Sequence, residues 1–507
     1  MLGLWPAVSA AAQQPGARER KPGPSLVVVI VVDQLRPDYF SRYARQFSGG
    51  FRRLLDRAAL FDHGRQDHAV TETAPGHSTI LSGRDPAHTG IVSNARGVAD
   101  SGAPILGAPG APGASPRKFR GTALYDWMRA ADPAARVLSV SAKDRGAILL
   151  VGRARAPVYW WVDGRFTTSR YYADSLPRWV QAFNARRSAE RFAGHAWTPL
   201  LPSSAYAEPD SAWYENGGRD AVFPHRFPSD PAEAQRAVRQ SPWVDSLTLA
   251  FALEGARALQ LGARARPDLL TISLSATDAV GHAFGPDSRE LHDHLLRLDR
   301  WLSWFMDALA RTVPADRTLL VLTADHGVQS FPERSPGLGR VSLDDLAALV
   351  QGALDFDSGL LSADTAALRA RRIGLDSLTA ALAGQAARRP GVRRVYTPTS
   401  LWSSPADDRE AGLWRRTIPS GHGWLICVSL KPGFVWSPPD QLIAEHGSTA
   451  PADIEVPIAF LGRGIRPGVV HRPVRTVDIA PTLAALLGLR LPEPLDGVPL
   501  PEIPPLH

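Results

Sequence analysis

An α/β fold with a mostly parallel central sheet flanked by helices follows from three observations. Short, continuous apolar runs recur along the 507 residues, helical segments with one apolar face lie between them, and polar residues collect where the runs end. A run without alternation is a strand buried on both faces, as in a parallel sheet covered by helices on either side. Sheets of this kind bind ligands beyond the C-terminal ends of their strands.

The first run, SLVVVIVVD, stops abruptly on Asp33. Four more strands are expected in ARVLSVSAK (135–143), DLLTISLSATD (268–278), RTLLVLTADHG (317–327) and VPIAFLG (456–462). Between and around them GGFRRLLDRAA, SRELHDHLLRLDRWLSWFMDALART and TVDIAPTLAALLG have the spacing of amphipathic helices. Three stretches read as insertions into this core. Residues 97–120, rich in Gly, Ala and Pro, form a loop. Residues 155–240 hold the aromatics Tyr159, Trp160, Trp161, Phe166, Tyr171 and Tyr172, which suit core or cap packing, with the stacking of a base as the alternative. Residues 330–440 contain two helix-like stretches and then GWLICVSL, as in a small α+β cap.

Residues 25–507 therefore read as one domain with insertions near 97–120, 155–240 and 330–440. Residues 1–24 pass from a short apolar segment into small residues like a signal-peptidase site, without a basic start. The expectation is a signal peptide or a disordered tail, with the chain exported to the periplasm or secreted. No later run of 18 apolar residues suggests a transmembrane helix.

With 44% hydrophobic and 21% charged residues the chain is globular rather than disordered. Its net charge of +7 comes from scattered arginines, which describe a solvated surface more than a nucleic-acid face. A positive field also draws in anionic substrates. The single cysteine, Cys427, excludes an internal disulfide and a cysteine-rich metal site.

A lone Asp after a strand is ordinarily a cap or turn residue. Four further stretches change that reading of Asp33. In SATDAVGHAFGP, Asp278 and His282 are four apart and share one face of a helical turn. In TADHGV, Asp325 and His326 end an apolar run; in AEHGS, His446 precedes a Gly-Ser turn. In TETAPGHSTILSG, Thr71 and Thr73 stand before a helix-like segment whose N-terminus suits phosphate. Each pattern alone is weak. Together Asp33, one Thr, Asp278, His282, Asp325, His326 and His446 mix carboxylate oxygens with imidazole nitrogens, which suits zinc, in numbers sufficient for two ions. Two such ions can stabilise the attacking and leaving oxygens of a phosphoryl transfer.

The order Asp, Thr, Asp-x-x-x-His, Asp-His, His over residues 27–446 resembles the alkaline phosphatase superfamily. The resemblance implies two Zn²⁺ per chain. Asp33, Asp325 and His326 would hold one with the nucleophile oxygen, and Asp278, His282 and His446 the other. Thr-Ala-Pro-Gly-His lacks the Cys/Ser-x-Pro-x-Arg context of sulfatases. Thr73 matches the nucleophile position better, with Thr71 as the alternative. Asn94 fits the Asn that follows the nucleophile in both the nucleotide pyrophosphatase/phosphodiesterase branch and the Thr-type alkaline phosphatase branch.

SVSAKDRGA separates those two branches. Lys143 and Arg145 match a Lys-x-Arg pair of the monoesterases, and two cations suit a monoester dianion better than a diester. The expectation is an alkaline phosphatase that hydrolyses small phosphate monoesters through a phospho-threonine intermediate, acting as a monomer without a specific nucleic-acid partner. The rivals are a phosphodiesterase or nucleotide pyrophosphatase on the same scaffold and, from another class, a non-catalytic anion-binding protein.

Overall fold

The computed structural model describes residues 23–438 and 440–505. The segment expected to be a signal peptide lies, but for its last two residues, outside the described ones.

The main sheet has 10 strands. Its path uses β1 (Leu26–Val32), β2 (Ala59–Arg65), β3 (Val137–Ser141), β4 (Val158–Val162), β5 (Arg165–Thr167), β6 (Asp268–Leu274), β7 (Thr318–Thr323), β8 (Glu455–Leu461) and β9 (Gly468–Val470). They lie in the order β9-β2-β8-β7-β1-β6-β3-β4-β5, and Val474–Arg475 also pairs with β2. β1 runs parallel to β6 and β7, and β6 parallel to β3. The valine run is central for the reason its composition suggests. Leu26, Val28, Ile30 and Val32 enter one apolar cluster, and Val27, Val29 and Val31 enter the other. Each such side chain contributes about 1.5–3 kcal/mol when fully buried.

Helices cover both faces. The first cluster packs α1 (Gly50–Arg57), α4 (Trp243–Ala258), α5 (Ala276–Phe284) and α6 (Arg289–Ala310). The second packs α2 (Thr73–Ile80), Leu124–Ala131 and α7 (Ile479–Leu487). A shorter helix, α3 (Pro231–Ala237), lies before α4. Buried Asp299 on α6 fastens α1, accepting from the N–H groups of Gly49 and Phe51 at 2.7 Å each. A carboxylate there meets the free amides and positive dipole end of α1.

Two features differ from the strand-by-strand reading. β8, the VPIAFLG run, is antiparallel to both β7 and β2. Apolar periodicity marks a strand but not its direction. The antiparallel course brings the start of β8, and the segment ahead of it that carries His446, to the edge where the parallel strands end. Within residues 155–240, β4 and β5 extend the sheet, and Tyr159, Trp160, Trp161 and Phe166 are buried core residues. Over residues 330–440 a separate four-stranded sheet (Leu354–Asp357, Leu360–Ala363, Val392–Tyr396, Trp424–Leu430) packs with helices on its own apolar cluster. Cys427 is buried in its last strand.

Candidate active site

Four parallel strands deliver the polar residues to one edge. Asp33 extends β1 by one ladder bond, its N–H donating to Leu274 O at 2.9 Å. Gln34 then takes a left-handed conformation (φ 68°), which turns the chain away and leaves the Asp33 carboxylate at the strand end. Gln34 braces two neighbours: its side-chain amide donates to Asp278 Oδ1 at 3.1 Å and its N–H to Asp325 Oδ1 at 3.2 Å. Asp278 and His282 lie one turn apart on α5, with Nε2 3.2 Å from Oδ1. Asp325 and His326 follow β7 and are fully buried.

The three imidazoles share one arrangement. Nδ1 of His282, His326 and His446 lies 2.7, 2.9 and 2.7 Å from the backbone carbonyls of Ala444, Gly327 and Thr71. Those acceptors place the proton on Nδ1 and turn each Nε2 inward, the usual preparation of a metal-binding histidine. His326 Nε2 is 3.3 Å from Asp33 Oδ1, His446 Nε2 is 3.5 Å from Asp278 Oδ1, and the Nε2 atoms of His282 and His446 are 3.2 Å apart. At that distance the two nitrogens need positive charge between them, either a proton on one ring or a metal cation. Both carboxylate oxygens of Asp33, Asp325 Oδ2 and His326 Nε2 are buried without a well-formed hydrogen bond. Their partners are charge contacts within the same cluster, Lys143 to Asp33 Oδ2, His77 to Asp325 Oδ2 and His326 to Asp33 Oδ1, so donor capacity remains for a bound ion.

The electrostatics make the same demand. Burial together with Asp278 and Asp325 raises the Asp33 pKa. Burial would lower His326, yet Asp325 and Asp33 outweigh it and push the ring up to about 10. Burial likewise opposes, and Asp278 overcomes, the rise of His282 to about 9. His446 goes the other way, to about 3, through burial and the nearby His326. Crowded carboxylates thus hold positive charge wherever they can, and the donor set fits divalent cations. Asp33, Asp325 and His326 form one three-residue ligand group. Asp278, His326 and His446 form another and His282, Glu445 and His446 a third, so that His326 and His446 are each shared between two groups, and Asp278 Oδ1 lies 3.2 and 3.5 Å from Nε2 of His282 and His446.

Thr73 begins α2, buried at the same edge, with Oγ1 3.3 Å from Lys143 Nζ. The Thr71 hydroxyl is spent elsewhere, donating to Ser448 O at 2.9 Å. Lys143 also reaches Asp33 Oδ2 at 2.5 Å and Asp278 Oδ2 at 2.6 Å. Asn94 Oδ1 accepts from the Ala74 N–H at 2.9 Å, and its NH₂ has no hydrogen bond among the described residues. Arg145 stands apart from this group. Its guanidinium lies 3.6 Å from Asp144 and lines a neighbouring cavity.

Three supporting residues escape a reading of the sequence. His77 joins Thr73 to the ligand set: its Nδ1 is 2.9 Å from Thr73 O and 3.0 Å from Asp325 Oδ2, and its Nε2 meets Ser273 Oγ at 2.9 Å. Glu72 accepts from the Asn94 N–H at 2.7 Å, and burial beside Asp357 keeps its pKa well above the usual range. Glu445 adjoins His446 in AEHGS, where an acid next to the ligand was the only available signal.

The approach of α2 to β7 depends on Gly76, where a Cβ would overlap the Asp325 carbonyl. Gly76→Ala is expected to cost about 1–3 kcal/mol, as overpacking does, and to lower kcat by pushing Thr73 from Asp325. Denaturant unfolding and steady-state kinetics on the one variant check both effects.

The chain is similar to known proteins over most of its length. The sequence pattern of type I phosphodiesterase / nucleotide pyrophosphatase matches residues 27–381. Alkaline phosphatase PhoV of Synechococcus elongatus is 32% identical, covering 92% of this chain and 91% of its own. Alkaline phosphatase PhoK of Sphingomonas is 34% identical, covering 94% and 90%. The crystal structure of wild-type alkaline phosphatase PafA superposes with a TM-score of 0.86 at 28% identity, over 95% of this chain and 99% of that one. The chain belongs to the type I phosphodiesterase / nucleotide pyrophosphatase family of the alkaline phosphatase superfamily.

Proposed function

We infer that this chain is an alkaline phosphatase, a metal-dependent hydrolase of phosphate monoesters. The observation that carries this reading is the convergence of three Nε2 atoms and three buried carboxylates beside the Thr73 hydroxyl. Its curated relatives PhoV and PhoK are alkaline phosphatases. One variant of PafA with a solved structure is substituted at a threonine, an asparagine, a lysine and an arginine. The intervals between the first pair and between the second pair are those from Thr73 to Asn94 and from Lys143 to Arg145 here.

In this proposal Asp33, Asp325, His326 and Thr73 Oγ hold one ion, and Asp278, His282 and His446 the other. The mixed oxygen and nitrogen donors favour Zn²⁺. Bound there, the two ions supply Lewis acidity to the attacking and leaving oxygens. Thr73 Oγ, having lost its proton, attacks phosphorus in line as the bond to the ester oxygen breaks and the alcohol leaves with a proton; water then hydrolyses the phospho-threonine, restoring the Thr73 hydroxyl and releasing inorganic phosphate. Asn94, Lys143 and Arg145 bind the non-bridging oxygens and neutralise charge that builds on them. His77 holds the first turn of α2 against Asp325, so the nucleophile meets phosphorus from a fixed direction.

Small phosphate monoesters are the substrates of this reading, and the enzyme acts as a monomer. Among the described residues no helix is long and apolar enough to cross a membrane. Export to the periplasm or beyond rests on the small residues of the N-terminal segment.

The test is a paired assay at alkaline pH on zinc-loaded protein, with p-nitrophenyl phosphate and bis-p-nitrophenyl phosphate. A large monoester preference, lost on chelation and restored by zinc, is expected. A diester preference moves the assignment to the phosphodiesterase branch, and activity indifferent to chelator removes the metal reading.

A further inference from the structure

A cavity of about 770 Å³ opens beside the C-terminal end of β3, within the roughly 300–1,000 Å³ of small-molecule sites. Its walls are the loop over residues 105–112, the β4–β5 hairpin, and the stretch from Arg236 to Gln240 at the end of α3. Arg145 is common to this cavity and to the proposed phosphate site.

Arg145, Arg165, Arg236 and Arg239 line the space, against the acids Asp144 and Asp163. Arg145 is within ion-pair range of Asp144, at 3.6 Å. The other three side chains have no ion pair and no hydrogen bond among the described residues, and all three are exposed. The framework that presents them is fixed. Asp163 and Gly164 have φ of 43° and 82°, the left-handed pair of a tight hairpin turn. Gln235 on α3 donates its side-chain amide to Asp163 O at 3.0 Å, which ties the hairpin to the helix. The Arg165 guanidinium lies over Gly107, where an added Cβ would sit 3.6 Å from it.

Arginines dispersed over a solvated surface do little. Four gathered in one concavity, against two acids and with three of the four outside any ion pair among the described residues, concentrate positive potential in it. Their planar forks match phosphate oxygens in pairs. We propose that this cavity is an anion subsite for the non-reacting part of the substrate, and that it takes a second phosphate group of an organic bisphosphate. This rests on the phosphatase reading above, and the experiment separates the two.

The full-length, zinc-loaded protein is assayed for phosphate release from fructose 1,6-bisphosphate, fructose 6-phosphate and p-nitrophenyl phosphate. The expected kcat/KM ratio of bisphosphate to monophosphate is about tenfold and falls as NaCl rises from about 0.05 to 0.5 M. The triple variant Arg165→Gln, Arg236→Gln, Arg239→Gln is expected to lower that ratio about tenfold, chiefly through KM. The three single variants give smaller losses in the same direction and keep the question open to measurement should the triple variant not fold. A parent ratio near one, or a ratio held by active variants, overturns the subsite while leaving the phosphatase reading intact. A parent that fails to hydrolyse p-nitrophenyl phosphate removes that reading and the subsite with it.

Discussion

Replacing Thr73 by alanine is expected to lower kcat for p-nitrophenyl phosphate by at least about 10³-fold, as loss of a covalent nucleophile does, while both metals stay bound. The reason lies in how the ligand set is built. Asp33, Asp278, Asp325 and the three imidazoles are held by strand ends, by α5 and by backbone carbonyls, none of which uses the Thr73 hydroxyl. In the proposed centre Thr73 would supply only one oxygen, so its loss should remove the attacking atom and leave the other ligands in place. Metal analysis of the purified variant, beside its kcat, separates loss of chemistry from loss of metal. Acid quenching of the parent during turnover should trap phosphate on Thr73, and the variant should trap none. Thr71→Ala is the internal comparison. Its hydroxyl is committed to Ser448 O at 2.9 Å, and losing one such bond costs about 0.5–1.5 kcal/mol of stability, with far less effect on kcat. Full activity in Thr73→Ala, or a larger loss of kcat in Thr71→Ala, would reverse the assignment.

The sequence made the strands legible because each is buried on both faces, so its composition is uninterrupted. Asp33 is visible for the same reason: a carboxylate that ends seven buried apolar residues demands an explanation. Asp278 and His282 are visible through helical spacing, which the structure places on α5. His446 is different. It follows no strand and shares no local pattern with another ligand, so only its place in the family order singles it out. Its position depends on the antiparallel course of β8, and strand direction leaves no trace in hydropathy. Glu72 and His77 are hidden because their roles are relational. One orders Asn94 and the other joins α2 to Asp325, across 22 and 248 residues of chain respectively. Arg145 is the opposite case. Its identity and spacing are plain in SVSAKDRGA, but the direction of its side chain, toward Asp144 and the adjoining cavity, is set by packing.

That direction makes Arg145 the informative residue for substrate charge. Lys143 binds Asp33 and Asp278 at 2.5 and 2.6 Å, so its removal strips counter-charge from two of the proposed metal ligands and perturbs much else. Among the described residues Arg145 has a side-chain carboxylate contact only with Asp144, at 3.6 Å, and is a quarter exposed at 24%. Its loss removes one long ion-pair contact and some stem packing, and should cost stability far less than the loss of Lys143. A monoester dianion offers an additional charged oxygen that a diester replaces with an organic group, and a charged hydrogen bond to such an oxygen contributes about 1.5–3 kcal/mol. Arg145→Ala is therefore expected to reduce kcat/KM for p-nitrophenyl phosphate by about 10–100-fold and that for bis-p-nitrophenyl phosphate by less than about threefold. Melting temperature and zinc content, measured on the same preparation, should match the parent. A monoester loss of this size requires the guanidinium to reach the bound phosphate from its place beside Asp144. Equal losses on the two esters would mean that Arg145 serves the cavity alone, and that Lys143 and Asn94 carry the recognition of the dianion without it.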